Sequence, residues 1–320
     1  MSRFDVATIG EGQLRYSVSA GNRLEDVSRF EVHACGTEAN VAGLLSRLGW
    51  RCGWFSSLPK SPLGRRVTNE FKLSGLDISA VVWSESGRLG TYYVEYAEPP
   101  RATQVYYDRA GTCFTRLTKD DIDWDYLTDA RILHLTGLSV PLSQEMRGII
   151  PEAVRRAKAN KLLVSLDVNY RRRIWSPEDA RETLLPILRH TDILFCSRAD
   201  AATVFGIDCD PREIVEKLGA LTAAELIIVS LSHEGLIGWD RKHFFQQPAS
   251  EVKIIDRIGA GDAMVAGVLH GILQGDFPRG LRYGALSAAL ALSQFGDQVI
   301  TSREELDELL DTQQRKDIDR

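Results

Sequence analysis

The chain has 320 residues, 44% hydrophobic and 26% charged, with a formal net charge of −5. That length buries a large core, as one big α/β domain or two smaller ones. The acidic balance excludes a binder of nucleic acid that works through a basic surface, and no apolar run reaches membrane-spanning length. The polar opening Met1-Ser2-Arg3-Phe4-Asp5 does not read as a signal peptide. Cys35, Cys52, Cys113, Cys196 and Cys209 are dispersed without Cys-x-x-Cys spacing. An odd, scattered set fits reduced thiols, so a cytoplasmic location is expected.

In chain order, short apolar runs alternate with amphipathic stretches. Phe4–Gly10, Arg51–Ser57, Ile132–Thr136, Leu162–Val168, Ile193–Cys196 and Leu226–Ser230 read as buried strands. Thr37–Leu48, Leu63–Leu73, Ser143–Ala157, Pro177–Arg189 and Pro211–Leu218 read as helices, with Pro151 expected to kink or break the third. Strand–helix alternation predicts a parallel sheet covered on both faces. Two regions break the rhythm. Leu14–Ser19 with Arg29–Ala34, and Thr91–Tyr96 with Thr103–Tyr107, are strand pairs without intervening helices, and they predict a small projecting sheet that acts as a lid. The tail reads as helix over Tyr283–Phe295 and Ser302–Leu310, the latter opened by the capping-box pattern Ser302-Arg303-Glu304-Glu305.

The most informative stretch is Ile254–Gly267, where a β-like apolar run ends in Asp256 and the turn Gly259-Ala260-Gly261 leads to Asp262 at the start of a small-residue helix. Unpaired amides at such a helix start, together with the helix dipole, favour an anion such as a phosphate. Asp262 then sits where an acceptor hydroxyl can meet a phosphoryl group. An Asp that only caps a helix after a glycine turn looks the same locally. The preceding run, Asp256 and the following helix favour phosphoryl transfer. A carboxylate at a helix N-terminus is expected to be a weakened base. Other nucleotide motifs fail: no Gly-Lys-Ser/Thr occurs, and Arg15 stands at the third glycine position after Gly10-Glu11-Gly12. His134 reads as a structural histidine.

Asp256–Gly267 resembles the Asp-Thr-x-Gly-Ala-Gly-Asp signature of the ribokinase-like (PfkB) carbohydrate kinases, with Arg257 in the Thr position. Gly36-Thr37-Glu38-Ala39-Asn40-Val41-Ala42 through Arg47-Leu48-Gly49 resembles the family's N-terminal Gly-rich element, where sugar hydroxyls bind, and Gly10-Glu11 is also typical. The resemblance implies a ribokinase-like α/β fold: a largely parallel sheet flanked by helices, formed by residues 1–12, 35–86 and 117–320, with a lid from 13–34 and 87–116. It also implies use of ATP and Mg²⁺ and, as in several relatives, a homodimer through the lid. Asp262 would be the base, and the Gly259, Ala260, Gly261 and Asp262 amides the anion hole.

Within the family, Tyr92–Tyr96, Val105–Arg109, Asp167–Arg171 and Gly296-Asp297 are similar to the 2-keto-3-deoxygluconate kinases. Carried over, the substrate contacts fall on Gly36, Asn40, Tyr92, Tyr107, Arg109 and Arg171. A sugar acid brings a carboxylate whose desolvation needs a cation, and a guanidinium fork suits it. The nucleotide side departs from the family. Ser197-Arg198-Ala199-Asp200 stands for Asn-x-x-Glu, and Ser230-Leu231-Ser232-His233-Glu234-Gly235 for Lys-x-Gly-x-x-Gly. Ser197, Asp200, Ser230, Ser232 and Gly235 are thus the nucleotide candidates, with Glu234 expected to add negative charge near the triphosphate. Asp256 and Asp200 are candidates for indirect magnesium organisation. The leading expectation is an ATP-dependent kinase of 2-keto-3-deoxygluconate or a related sugar acid. The alternatives are a kinase for a neutral sugar or a nucleoside, and a catalytically silent ligand-binding homologue.

Overall fold

The structure is a computed structural model and describes residues 2–97 and 99–318. It opens with β1 (Phe4–Ile9), buried throughout. The chain then leaves the core for β2 (Gln13–Val18) and β3 (Glu31–Cys35). It returns through α1 (Thr37–Arg47) and β4 (Cys52–Phe55), and the short strands β5 (Ser57–Pro59) and β6 (Val82–Ser84) bracket α2 (Pro62–Lys72). A second excursion forms β7 (Gly90–Glu95) and β8 (Gln104–Asp108). The remainder alternates regularly: α3 (Trp124–Thr128), β9 (Ala130–Thr136), α4 (Gln144–Ala159), β10 (Leu163–Asp167), α5 (Pro177–Leu188), β11 (Ile193–Ser197), α6 (Arg198–Phe205), α7 (Pro211–Leu221) and β12 (Leu226–Ser230). It ends with β13 (Leu236–Trp239), β14 (Phe244–Gln247), α8 (Ala260–Leu273), α9 (Phe277–Leu292) and α10 (Arg303–Ile318).

The main sheet runs β14-β13-β12-β11-β10-β9-β1-β4, parallel from β12 to β4 with β13 and β14 antiparallel at one edge. Its strands are apolar on both faces because helices cover both. Residues of α3, α4, α5, α6 and α7 form the core on one face, and residues of α1, α2, α8, α9 and α10 the core on the other. The two excursions make a separate sheet, β3-β2-β7-β8, in which only β2 and β7 run parallel. Every crossover returns the chain so that the carboxyl ends of β1 and β9 to β12 open towards this second sheet, where α/β folds bind their ligands.

Three expectations are corrected. Pro151 neither breaks nor interrupts α4, which is continuous over Gln144–Ala159. Its ring lies on the exposed face, so the lost bond to Arg147 costs little there, while Met146, Ile149, Ala153 and Ala157 pack inward. Ile254-Ile255 is not a strand: both residues are half-exposed, and the segment is held by amides of Ile255 and Asp256 on the carbonyl of Leu292. The tail helix begins earlier than expected, at Phe277, where Asp276 caps it by accepting from the Arg279 amide. Among the described residues no helix is long and apolar enough to cross a membrane, and the five cysteines are free thiols.

Candidate active site

One cleft of about 420 Å³ lies between the carboxyl edge of the main sheet and the second sheet. At its floor, α8 begins. Gly259 is its N-cap with φ 88°, a left-handed conformation, and an added Cβ would stand 2.6 Å from the Asp297 carbonyl. The first α8 amide to bond back is that of Ala263, on the Gly259 carbonyl at 2.9 Å. The amides of Ala260, Gly261 and Asp262 are therefore the helix's free donors, and beside Gly261 nothing lies within 4 Å of where a Cβ would be. An anion seated there meets converging N–H groups and the positive end of the dipole.

Asp262 lines the cleft and is buried, with Oδ2 accepting from Asn40 Nδ2 at 2.8 Å. Asn40 itself comes from the first turn of α1, which Gly36 caps. Burial pushes the Asp262 carboxyl up to about 8, against the lowering effect of Asn40 and Arg171, while Asp167 and Asp297 add to the rise. The direction is opposite to that expected of a carboxylate at a helix N-terminus: desolvation outweighs the helix dipole here, and a carboxyl so raised suits proton transfer near neutrality.

The six residues expected on the sugar side, Gly36, Asn40, Tyr92, Tyr107, Arg109 and Arg171, all reach the cleft. Tyr92 is buried and donates its hydroxyl to Asp297 Oδ1 at 2.7 Å, with its ring against that of Tyr107 at 5.7 Å. The two arginines differ. Arg109 Nε and Nη2 both donate to Glu11 Oε2, at 3.0 and 2.6 Å, and Glu11 is fixed by Gln13 and Thr112. Arg109 thus arrives already paired. Arg171 is exposed beside Asp167 and Asp200, and among the described residues no salt bridge holds it.

On the nucleotide side the cleft reaches Ser197, Asp200 and Ser230. Ser197 caps α6 by accepting from the Asp200 amide at 2.9 Å, and this turns the Asp200 carboxylate towards the cleft, where burial raises it. Ser232 and Gly235 fall outside the lining. They shape the turn between β12 and β13, with φ of 59° and 100°. Glu234 does not bring an open charge, because Arg198 Nη1 grips it at 2.7 Å. Asp256, expected to organise magnesium indirectly, lies outside the cleft lining: it is buried behind the turn, with Oδ2 on Arg15 at 2.7 Å and Oδ1 accepting from the Ile258 amide. His134 is buried in β9 against Ser165, and burial lowers it to about 3, so it is a neutral structural group.

The cleft also holds four acids that carry no expected role, Glu11, Glu38, Asp167 and Asp297. Burial raises Asp167 to about 6, with Asn169 Nδ2 donating to it and Asp200 adding to the rise. Each lies inside a stretch that resembles the family, and that was the available signal. Their partners are 98 or more residues away for Glu38 on Thr136, Glu11 on Arg109 and Asp297 on Tyr92, so spacing along the chain does not reveal them. Among the described residues no three His, Cys, Asp or Glu side chains cluster as a ready-made metal cage. Asp167 and Asp200 do supply hard oxygen donors of the kind Mg²⁺ uses through water and phosphate.

A buried carboxylate beside free helix amides, at the carboxyl edge of a doubly wound sheet and facing a small separate sheet, is an arrangement suited to phosphorylating a sugar. The chain belongs to the pfkB family of carbohydrate kinases, whose profile matches residues 5–304. It is 33% identical over 307 residues to the 2-dehydro-3-deoxygalactonokinase of Haloferax volcanii, covering 96% of each chain. Its fold superposes on the 2-dehydro-3-deoxygluconokinase of Thermotoga maritima with a TM-score of 0.91 at 27% identity, covering 96% of this chain and 99% of that one. It also matches an uncharacterized sugar kinase of Pyrococcus horikoshii solved in complex with ATP, with a TM-score of 0.80 at 25% identity and coverage of 95% and 97%.

Proposed function

We propose that this carbohydrate kinase transfers the γ-phosphoryl group of ATP, with Mg²⁺, to the terminal hydroxyl of a 2-keto-3-deoxy sugar acid of the gluconate or galactonate type. The observation that carries the reading is Asp262: a buried carboxylate, held by Asn40, in the same first turn as three amides without intrahelical partners, one of them its own. Asp262 accepts the proton of the attacking hydroxyl. The amides of Ala260, Gly261 and Asp262 hold the charge of the transferring group. Phosphoryl transfer is loose in most analyses, so orientation and neutralisation matter more than base strength. Asp200 and Asp167 organise Mg²⁺, Ser197 and Ser230 border the nucleotide, and the metal-bound nucleotide, once present, supplies the phosphoryl group. Tyr92 and Tyr107 wall the sugar.

Arg171 is the group for the substrate carboxylate, since Arg109 already shares its charge with Glu11. That same pairing is the one feature that favours a second reading, a neutral-sugar kinase, because a neutralised Arg109 demands no anion. We also propose that the lid pairs two copies of the chain and that the enzyme works in the cytoplasm. A coupled ADP-release assay over keto-deoxy sugar acids, neutral sugars and nucleosides tests the substrate reading. Turnover confined to the acids supports it, and faster turnover of fructose or ribose than of either acid overturns it.

A further inference from the structure

The most unusual side chain outside the reacting groups is Arg15. It sits mid-strand in β2, on the lid, yet is fully buried, and it stands between two buried carboxylates from loops far away in the chain. Its Nη2 lies 2.7 Å from Asp256 Oδ2 and its Nη1 3.2 Å from Asp297 Oδ2. Each carboxylate reaches further. Asp256 accepts from the Ile258 amide at 3.0 Å, inside the turn that ends at Gly259, and from the Gly296 amide at 3.3 Å. Asp297 accepts from the Tyr92 hydroxyl, and its own carbonyl is the atom that Gly259 must approach closely. A continuous polar path therefore runs from the sugar wall at Tyr92, through Asp297, Arg15 and Asp256, to the turn that presents the helix amides.

We propose that Arg15 is a positioning residue that locks the Asp256–Asp262 turn to the lid, so that the sheet covering the sugar also sets where the phosphate-holding amides stand. The inference rests on the reading of those amides and Asp262 as the phosphoryl-transfer site. Only a guanidinium does this well: its planar fork spans two carboxylates at once, whereas an ammonium is a point charge that satisfies one. Two buried carboxylates without that cation repel each other and part. The turn then loses its anchor while the main parallel sheet, whose ladder does not include β2, stays intact. A misplacement of about 1 Å at such a site is enough to cost on the order of a hundredfold in rate.

The test compares wild type, Arg15→Lys, and the double variant Arg15→Met with Asp297→Asn, which removes one charge of each sign and so guards against a chain that fails to fold. Two readouts are taken: steady-state ADP release, and amide hydrogen exchange across the whole chain. The expected result is a fall in kcat of about tenfold or more, with a smaller change in sugar KM. Exchange should accelerate in the peptides spanning 254–262 and 293–299 while β9 to β12 keep their protection. Unchanged kcat overturns the proposal. So does exchange that quickens uniformly, the mark of a merely structural residue, or a lost kcat with an unaltered 254–262 peptide. If wild type turns over a neutral sugar and not the acids, the sugar-acid reading has failed, and the same kinetic comparison is made on that neutral sugar. The exchange measurement needs no substrate and decides independently.

Discussion

Asp262 carries two predictions that pull in opposite directions. As a base it must be ionised, and its carboxyl is raised to about 8 by burial. Activity should therefore climb as pH rises through about 8 in kcat/KM, and Asp262→Asn should lower kcat by roughly a hundredfold or more while moving sugar KM little. An Asn variant that keeps most of its turnover would reduce Asp262 to a cap. For stability the sign reverses. The unfolded chain gives up this proton near pH ~4, the folded chain only near 8. Between those values the unfolded state binds fewer protons, so wild-type stability is full below the lower pKa and is lost as pH rises through the upper one. Asparagine has no charge to bury, so Asp262→Asn should melt higher than wild type at pH ~9, and the gain should vanish near pH ~4. Equal melting temperatures at both values would contradict the buried, proton-retaining carboxylate. The arginines give a third test. Arg171→Met should cut kcat/KM for a sugar acid by about 10- to 100-fold, the scale of a lost charged hydrogen bond, and leave a neutral sugar nearly unaffected. Arg109→Met should damage both substrates alike, because it strands Glu11 in a buried site. The turn Gly259-Ala260-Gly261 into the helix that carries Asp262 was legible because chemistry and turn geometry coincide in one short stretch. The role of Arg109 was not, because Glu11 meets it only after folding. Asp256 read as a metal organiser because nothing nearby in the chain announces its partner, Arg15, 241 residues away.

At the scale of elements, the alternation of apolar runs and amphipathic stretches was sufficient for the parallel sheet, because doubly covered strands are apolar on both faces and hard to mistake. What stayed hidden is short or edge-bound. β13 and β14 span four residues each at the sheet edge, and α6 spans eight residues with little amphipathic contrast, so periodicity is weak there. Pro151 did not break α4 because the carbonyl it leaves unpaired faces the exposed side, where water can satisfy it, and the inward packing of the helix holds the rest. The pairing of α8 with α9 makes a prediction of its own. At Gly271 an added Cβ would lie 2.2 Å from the Gly280 Cα and 2.4 Å from its nitrogen, both backbone atoms that cannot swing aside. Gly271→Ala should therefore destabilise the chain by about 1–3 kcal/mol, the usual cost of overpacking. Urea unfolding measures this, and a midpoint equal to wild type would mean that the helices separate freely. The same variant should also lower kcat, since α8 carries Asp262 and its amides at its other end.

For the whole molecule, the proposed dimer rests on the second sheet. The face that carries Arg15, Tyr92 and Val94 is spent on the site and the core, all three being buried. The sheet's outer face is aromatic. Tyr16 stacks on Tyr93 at 5.4 Å, Phe30 packs edge-on against both, and Tyr106 lies directly across from Tyr93 in the β7–β8 ladder. Phe30 and Tyr106 are 40% and 50% exposed in the single chain. Tyr16 is partly buried against the core, while Phe30 and Tyr106 stay open, and a thin sheet with an apolar outer face is the kind of surface that pairs. A second copy offers the same patch, and self-complementary packing about a two-fold axis covers both at once. Light scattering at micromolar concentration should therefore give a dimer mass. Tyr93→Glu combined with Tyr106→Glu places like charges at the centre of that patch and should give a monomer, with its main sheet unaltered in circular dichroism. A wild-type monomer would remove the lid as an interface. A dimer that persists in the double variant would locate the contact elsewhere on the chain. Because the same sheet carries Tyr92 and Arg15 on its other face, the monomeric variant should also show a raised sugar KM, the face that binds sugar having lost the layer that keeps it flat.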